Sequence, residues 1–255
     1  MIASARNMYI LNRLHECSIV DYKSIAKELD VSEATVRRDF EKLEKSGKLR
    51  RVQGGAIQSE SLSAEFGVEL SMRAKHDLNS GIKTAIARKA AEEVKDGESV
   101  FLDMGTSIEP IGRVLLQKPI RIVTNSNLVL QHVNPSSRAE VFCIGGQFMP
   151  ADHMFVGPMA ENMLNDFGFH KAFIGCMGFN VEENSTYVTD MESLRIKQIA
   201  MHKAKQNILI LDTSKRNKVG LFRLSGLDKF EHIYIEDDGQ KHGYPENFRL
   251  VQIDK

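Results

Sequence analysis

Val31-Ser32-Glu33-Ala34-Thr35-Val36-Arg37-Arg38-Asp39-Phe40 is the stretch on which the reading of this chain turns. Ser32 stands where its hydroxyl can accept from a free N–H of a first helical turn. Val36, Phe40 and Leu43 share one helical stripe and predict a buried face, leaving Thr35, Arg37 and Arg38 on the outside. Upstream, the spacing of Ile10, Leu11 and Leu14 predicts a helix over 5–15. Asp21 caps a second helix carrying Ile25, Ala26 and Leu29, and Asp30-Val31 makes the turn into the third. Gly47 sits where a glycine commonly ends a helix. Residues 49–53 and 56–59 then read as two short strands around Gly54-Gly55, a turn that tolerates positive φ. A helix-turn-helix followed by a basic wing sets cations against phosphates and short polar side chains against base edges. The candidate DNA contacts are therefore Ser32, Glu33, Thr35, Arg37, Arg38, Lys42, Arg50, Arg51, Gln53, Gly54 and Gly55.

Composition bounds the rest. A chain of 255 residues, 42% hydrophobic and 27% charged, suits two globular domains with sizeable cores. Net charge is zero, which excludes a uniformly basic nucleic-acid binder; between residues 31 and 58, however, seven cations face four anions, a surplus of three. Apolar runs such as Val100-Phe101-Leu102 are far too short to cross a bilayer, and the N-terminus leads into an amphipathic helix rather than an apolar secretory segment. Cys17, Cys143 and Cys176 are odd in number and far apart, so they read as small buried hydrophobes in a cytoplasmic protein, not as a disulfide framework. The eight histidines show no metal-ligand spacing, and neither a metal nor a cofactor is expected.

The pattern divides the chain into a DNA-binding domain over 1–58, a polar linker over 59–80 with room for a short helix, and a larger domain over 81–255. In that domain helices are predicted over 81–95, 107–116, 126–133, 156–166 and 191–205. Strands are predicted over 99–103, 120–124, 139–144, 171–175, 207–212 and 232–236. Alternating strands and helices indicate a mostly parallel sheet covered on both faces, so the fold class is α/β with an N-terminal winged helix-turn-helix. In such sheets ligands bind beyond the carboxyl ends of the strands. Asp103-Met104-Gly105-Thr106-Ser107, Thr124-Asn125-Ser126, Gly145-Gly146 and Asp212-Thr213-Ser214-Lys215 all stand at such ends. Each alone is an ordinary cap or turn; their recurrence along one sheet edge suits a polyol phosphate, with N–H groups and hydroxyls for the phosphate and carboxylates for sugar hydroxyls.

The residues 31–39, followed by Leu49-Arg50-Arg51-Val52-Gln53-Gly54-Gly55-Ala56, resemble the N-terminal signature of the DeoR-type regulators of sugar operons. Phe40 stands where that family usually has leucine and Gln53 where it has histidine; the second change touches only that side chain's own contact. The resemblance continues through Leu102-Asp103-Met104-Gly105-Thr106-Ser107, where Ser107 replaces a usual threonine, and through Thr124-Asn125-Ser126, Gly145-Gly146, Val156-Gly157 and Asp212-Thr213-Ser214-Lys215. It implies a winged-helix head on an α/β domain resembling ribose-5-phosphate isomerase and CoA transferases, in a repressor released by a phosphorylated sugar. By that similarity Asp103, Gly105, Thr106, Ser107, Asn125, Ser126, Gly145, Gly146 and Lys215 are effector-site candidates, with Asp190 and Glu192 as additions.

Three functions follow as expectations. The main one is a non-enzymatic regulator, probing a palindromic operator in double-stranded DNA as a homodimer or larger even oligomer, and responding to a sugar phosphate. An isomerase-like enzyme tethered to DNA is the alternative; it needs a compact acid–base constellation that the sequence does not display. A protein-interaction module with a vestigial pocket is the third.

Overall fold

The computed structural model describes residues 3–17, 19–46, 48–52, 54–58, 79–240 and 242–253. Gly47, Gln53 and nearly all of the expected linker lie outside them. The chain forms two compact units, Met1–Leu78 and Asn79–Lys255.

The first unit contains α1 (Ala3–Cys17), β1 (Ile19–Asp21), α2 (Tyr22–Leu29), α3 (Glu33–Lys45), β2 (Leu49–Val52) and β3 (Gly55–Gln58). Asp21 accepts from the Ser24 N–H at 2.8 Å and starts α2, while Ser32 accepts from the Thr35 N–H at 3.2 Å and starts α3. Between the helices Asp30 takes the left-handed conformation, φ 51°, which closes α2 in place of a glycine. Ile10, Leu14, Ile25, Val36, Phe40, Leu43 and Leu49 make the core, with the Phe40 ring 5.0 Å from that of Tyr22. Asp39 is buried as well. Arg6 reaches it with two hydrogen bonds, at 2.5 and 3.2 Å, and so ties α1 to α3.

The wing corrects the expectation of two strands: it has three, in the order β1-β3-β2. β1 is three residues between two helices, too short for a periodicity to show. It explains both glycines. Gly54 turns at φ 89° and offers its carbonyl to the Tyr22 N–H at 3.0 Å. Gly55 pairs with Asp21, and a Cβ there would run into the Val20 carbonyl. Gly55→Ala is therefore expected to cost the head about 1–3 kcal/mol by overpacking, read as an earlier denaturant transition for this unit alone.

The second unit runs α4 (Ser80–Ala91), β4 (Ser99–Leu102), α5 (Glu109–Leu115), β5 (Arg121–Thr124), α6 (Asn127–Leu130), β6 (Glu140–Cys143), β7 (Gln147–Met149), β8 (Met154–Val156) and α7 (Pro158–Asn165). It continues with β9 (Phe169–Gly175), β10 (Gly178–Asn180), β11 (Ser185–Val188), α8 (Met191–Lys203), β12 (Ala204–Ile210), β13 (Phe222–Ser225), β14 (His232–Glu236) and β15 (Phe248–Val251). Seven strands form a fully parallel sheet in the order β15-β14-β12-β9-β4-β5-β6. On one face α4 and α5 pack through Ile86, Ala87, Ile111 and Leu115; on the other α7 and α8 pack through Ala160, Leu164, Ile196 and Ala200.

Several element boundaries differ from the sequence-based expectations. Val156 belongs to a strand, not to the start of α7: Gly157 turns at φ 91° and Pro158 opens the helix, as its fixed φ allows. The helix expected over 126–133 is the single turn α6, and α4 stops at Ala91. β12 begins directly where α8 ends, three residues earlier than expected. β7, β8, β10, β11, β13 and β15 went unrecognised because they are short or lack clean alternation; β10, β11 and β13 form a separate small antiparallel sheet.

From β4 the chain moves outward through β5 and β6, then returns to the other side of β4 for β9, β12, β14 and β15. The reversal makes the carboxyl ends of β4 and β9 a topological switch point, the crevice at which parallel sheets bind ligands.

Candidate functional site

On the first unit, α3 presents Ser32, Glu33, Arg37, Arg38 and Lys42 to solvent, and Arg50 is exposed on β2. Thr35 is half-buried, with its hydroxyl 2.9 Å from that of Ser32. The Arg37 guanidinium lies 5.1 Å above the Tyr22 ring and 4.0 Å from the Glu33 carboxylate, one helical turn back. Arg51 is engaged within the head. Its backbone N–H and guanidinium hold Glu44, the guanidinium at 2.6 Å, and a further nitrogen reaches Glu41 at 3.1 Å. These bonds keep the Glu44 carboxyl below its ordinary range and fasten the wing to the end of α3.

On the second unit, the β4–β9 crevice gathers charges from elements distant in sequence. Asp103, just past β4, accepts from the Gly175 N–H at the end of β9 (2.9 Å) and pairs with Lys197 of α8. Both side chains are buried. Lys83 of α4, also buried, donates to the Thr106 hydroxyl at 3.0 Å. Lys215 donates to the Ser107 hydroxyl at 3.2 Å from a short turn over Thr213–Lys215. That turn is pinned by Thr213, whose N–H and hydroxyl donate to Glu236 at 3.0 and 2.5 Å. Burial pushes the Asp212 carboxyl up, but Lys215, the Ser214 hydroxyl and Lys83 outweigh it and hold the carboxyl below its usual value. Cys176 stands in the middle: burial raises its thiol, and Lys215, Lys197, Asp212 and Asp103 all act on it. Cys143 is half-buried and, like Cys176, free.

Asn125 and Ser126, past β5, are fully buried; Asn125 donates to the Phe155 carbonyl at 3.3 Å and Ser126 caps α6 through the Val129 N–H at 3.4 Å. Gly105 turns at φ 111° and its carbonyl accepts from Ile108 and Glu109. Gly146 turns at φ 131°, and a Cβ there would sit 2.5 Å from the Val156 carbonyl, so its packing against the start of α7 accounts for it; Gly145 precedes it. Asp190 is occupied as the cap of α8, accepting from the Ser193 N–H at 2.6 Å, and Glu192 is exposed. The crevice thus assembles Asp103, Thr106, Ser107 and Lys215, and adds Lys83 and Lys197, which the sequence reading missed. Each lysine follows an apolar stripe, Lys83 with Ile86 and Ala90, Lys197 with Leu194 and Ala200. A lysine on a buried stripe was the available signal.

Among the described residues no helix is long and apolar enough to cross a membrane, and no group of three or more His, Cys, Asp or Glu is placed to hold a metal ion.

The model of the DeoR-like helix-turn-helix domain matches residues 6–61, and that of the DeoR C terminal sensor domain matches residues 78–237. The chain belongs to the DeoR family. This family member is a DNA-binding transcriptional regulator: a helix-turn-helix head joined to a sensor domain. The lactose phosphotransferase system repressor of Lactococcus lactis subsp. lactis is 34% identical over 81% of this chain and 80% of that protein. The regulator GlpR of Haloferax volcanii is 30% identical over 93% of this chain and 91% of its own. Among solved structures, ribose 5-phosphate isomerase A of Methanocaldococcus jannaschii overlaps 55% of this chain and 56% of its own at 18% identity, with a TM-score of 0.38. That likeness is too slight to bear on chemistry. With relatives that are regulators, the isomerase alternative is not favoured.

Proposed function

We propose that this regulator represses a carbohydrate catabolic operon as a homo-oligomer in the cytoplasm, does no catalysis of its own, and leaves its operator when a phosphorylated sugar enters the β4–β9 crevice. One observation carries the reading: three lysines, Lys83, Lys197 and Lys215, gather with Asp103, Asp212 and Glu236 at the topological switch point, two of them on the Thr106 and Ser107 hydroxyls. Ammonium groups set beside the hydroxyls of Thr106 and Ser107 at helix and turn starts suit an anion. Lys215, on a turn rather than a helix, supplies the more accessible cation.

On the DNA side, α3 enters the major groove with its N-terminal residues toward the base edges. Arg38 and Lys42 face phosphate, Arg37 is oriented by Tyr22 and Glu33, and Arg51 serves the head's own structure. Arg38→Ala is expected to weaken binding to every duplex and to lower the salt slope by about one, measured by fluorescence anisotropy across a salt series. Unchanged affinity and slope would contradict this docking. Lys215→Ala is expected to keep DNA binding and to lose release by sugar phosphate. Normal release by that variant would remove the phosphate from this turn.

A further inference from the structure

We infer that Asp103 and Asn125 together read two hydrogen-bond donors carried side by side on the ligand, so that the sensor selects an anionic polyol with adjacent hydroxyls rather than phosphate as such. The inference rests on the sugar-phosphate reading of the same crevice. Both side chains are buried, at 1% and 0% exposure. Asp103 spends one carboxylate oxygen, Oδ2, on Lys197 and the Gly175 N–H, while its Oδ1 has no hydrogen-bond partner among the described residues. Asn125 gives its amide nitrogen to the Phe155 carbonyl, and its Oδ1 likewise has no partner among the described residues. The Phe155 carbonyl also fixes that amide's orientation, because the flipped form would set two acceptors against each other.

The two orphaned acceptors are neighbours. Leu102 pairs with Thr124 in the parallel β4–β5 ladder, so Asp103 and Asn125 are the next residues on adjacent strands. Continuing that parallel register by one residue puts both side chains on the same face of the sheet, on backbones about 4.8 Å apart along the hydrogen-bonding direction. Diverging hydroxyls on neighbouring carbons span such a gap. A buried acceptor without a donor is unfavourable, and two at adjacent positions mark a place built for something that donates. A short loop away, Lys83 on Thr106 and Lys215 on Ser107 supply the cationic end. The crevice is thereby two-ended: cations with hydroxyls for an anion, and paired acceptors for a diol.

The test is calorimetric titration and thermal shift of the full chain with matched pairs. These are ribose 5-phosphate against 2-deoxyribose 5-phosphate, glucose 6-phosphate against 2,3-dideoxyglucose 6-phosphate, and sn-glycerol 3-phosphate against 3-hydroxypropyl phosphate, with inorganic phosphate alongside. In any pair whose diol member binds, the deoxy member is expected to bind about tenfold or more weakly. Asn125→Ala should shrink that ratio. Equal binding of both members by the unaltered protein overturns the inference without recourse to a variant. So does inorganic phosphate binding as tightly as the diols, a result that leaves the anion site standing and assigns the acceptors to a trapped water. No response to any of the seven compounds overturns the sugar-phosphate reading, and the inference with it.

Discussion

Lys197→Met is expected to lower the stability of the sensor unit by about 3–5 kcal/mol, the cost of leaving one member of a buried ion pair without its partner. Lys197 and Asp103 have side-chain exposures of 4% and 1%, so neither charge can recover water by a small movement. Methionine matches the length and volume of the lysine stem, which keeps the loss electrostatic rather than a cavity effect. The Gly175 N–H at 2.9 Å would remain as the carboxylate's bonded donor, and one neutral donor does not replace an ammonium. The pair also joins α8 to the end of β4, next to the place where β9 begins the second half of the sheet. Adding Asp103→Asn to Lys197→Met removes both charges and is expected to restore more than half of the loss, because neutral replacement of a whole pair is far cheaper than removal of one side. Denaturant midpoints of the sensor transition decide the matter. A cost below about 1 kcal/mol for Lys197→Met, or no recovery in the double variant, would mean the pair is not the electrostatic centre of the crevice.

Phe40→Ala is expected to abolish DNA binding by unfolding the head, while ligand binding by the sensor unit continues. Phe40 is fully buried, stacks obliquely on Tyr22, and sits beside Val36 and Leu43 on the inner stripe of α3. Truncating such a phenylalanine costs about 3–5 kcal/mol. A domain of this size holds only about 0.05–0.15 kcal/mol per residue, so the loss takes most of the head's stability. The expected signature is loss of one denaturant transition with the other unchanged, together with loss of duplex retardation. Retention of duplex affinity within twofold would show that α3 is held chiefly by something other than this core, the Arg6–Asp39 pair being the leading candidate.

The head was legible in sequence because its signals are local. Asp21 and Ser32 cap helices within three residues of their acceptors' partners, and the Val36–Phe40–Leu43 stripe is complete within two turns. Asp39 shows the limit: on the surface pattern it is one more charge beside two arginines, and only the arrival of Arg6, thirty-three positions earlier, makes it a buried structural group. β1 was hidden for a similar reason, since three residues acquire strand identity only by pairing with β3. In the sensor unit the hydrophobic runs of the central parallel strands announced themselves. The short peripheral strands did not, because neighbours from elsewhere in the chain define them.

The crevice was half legible. Asp103, Thr106, Ser107, Asn125 and Lys215 stand at strand ends, where topology alone directs attention. Lys83 and Lys197 escaped because a lysine on a helix is ordinarily a solvated residue, and nothing within one helical turn reveals a buried acceptor on another strand. Asp190 stands differently: its carboxylate is engaged at the cap of α8, accepting from the Ser193 N–H and hydroxyl.

The most direct measurement of the central claim is the affinity of the full chain for a duplex selected from a random pool, titrated with phosphorylated sugars and their unphosphorylated forms at fixed salt. The predicted result is tight, salt-dependent binding that at least one sugar phosphate weakens about tenfold or more, while the corresponding free sugar leaves it unchanged. Duplex binding indifferent to every sugar phosphate, or turnover of one of them by the purified protein, would contradict the account.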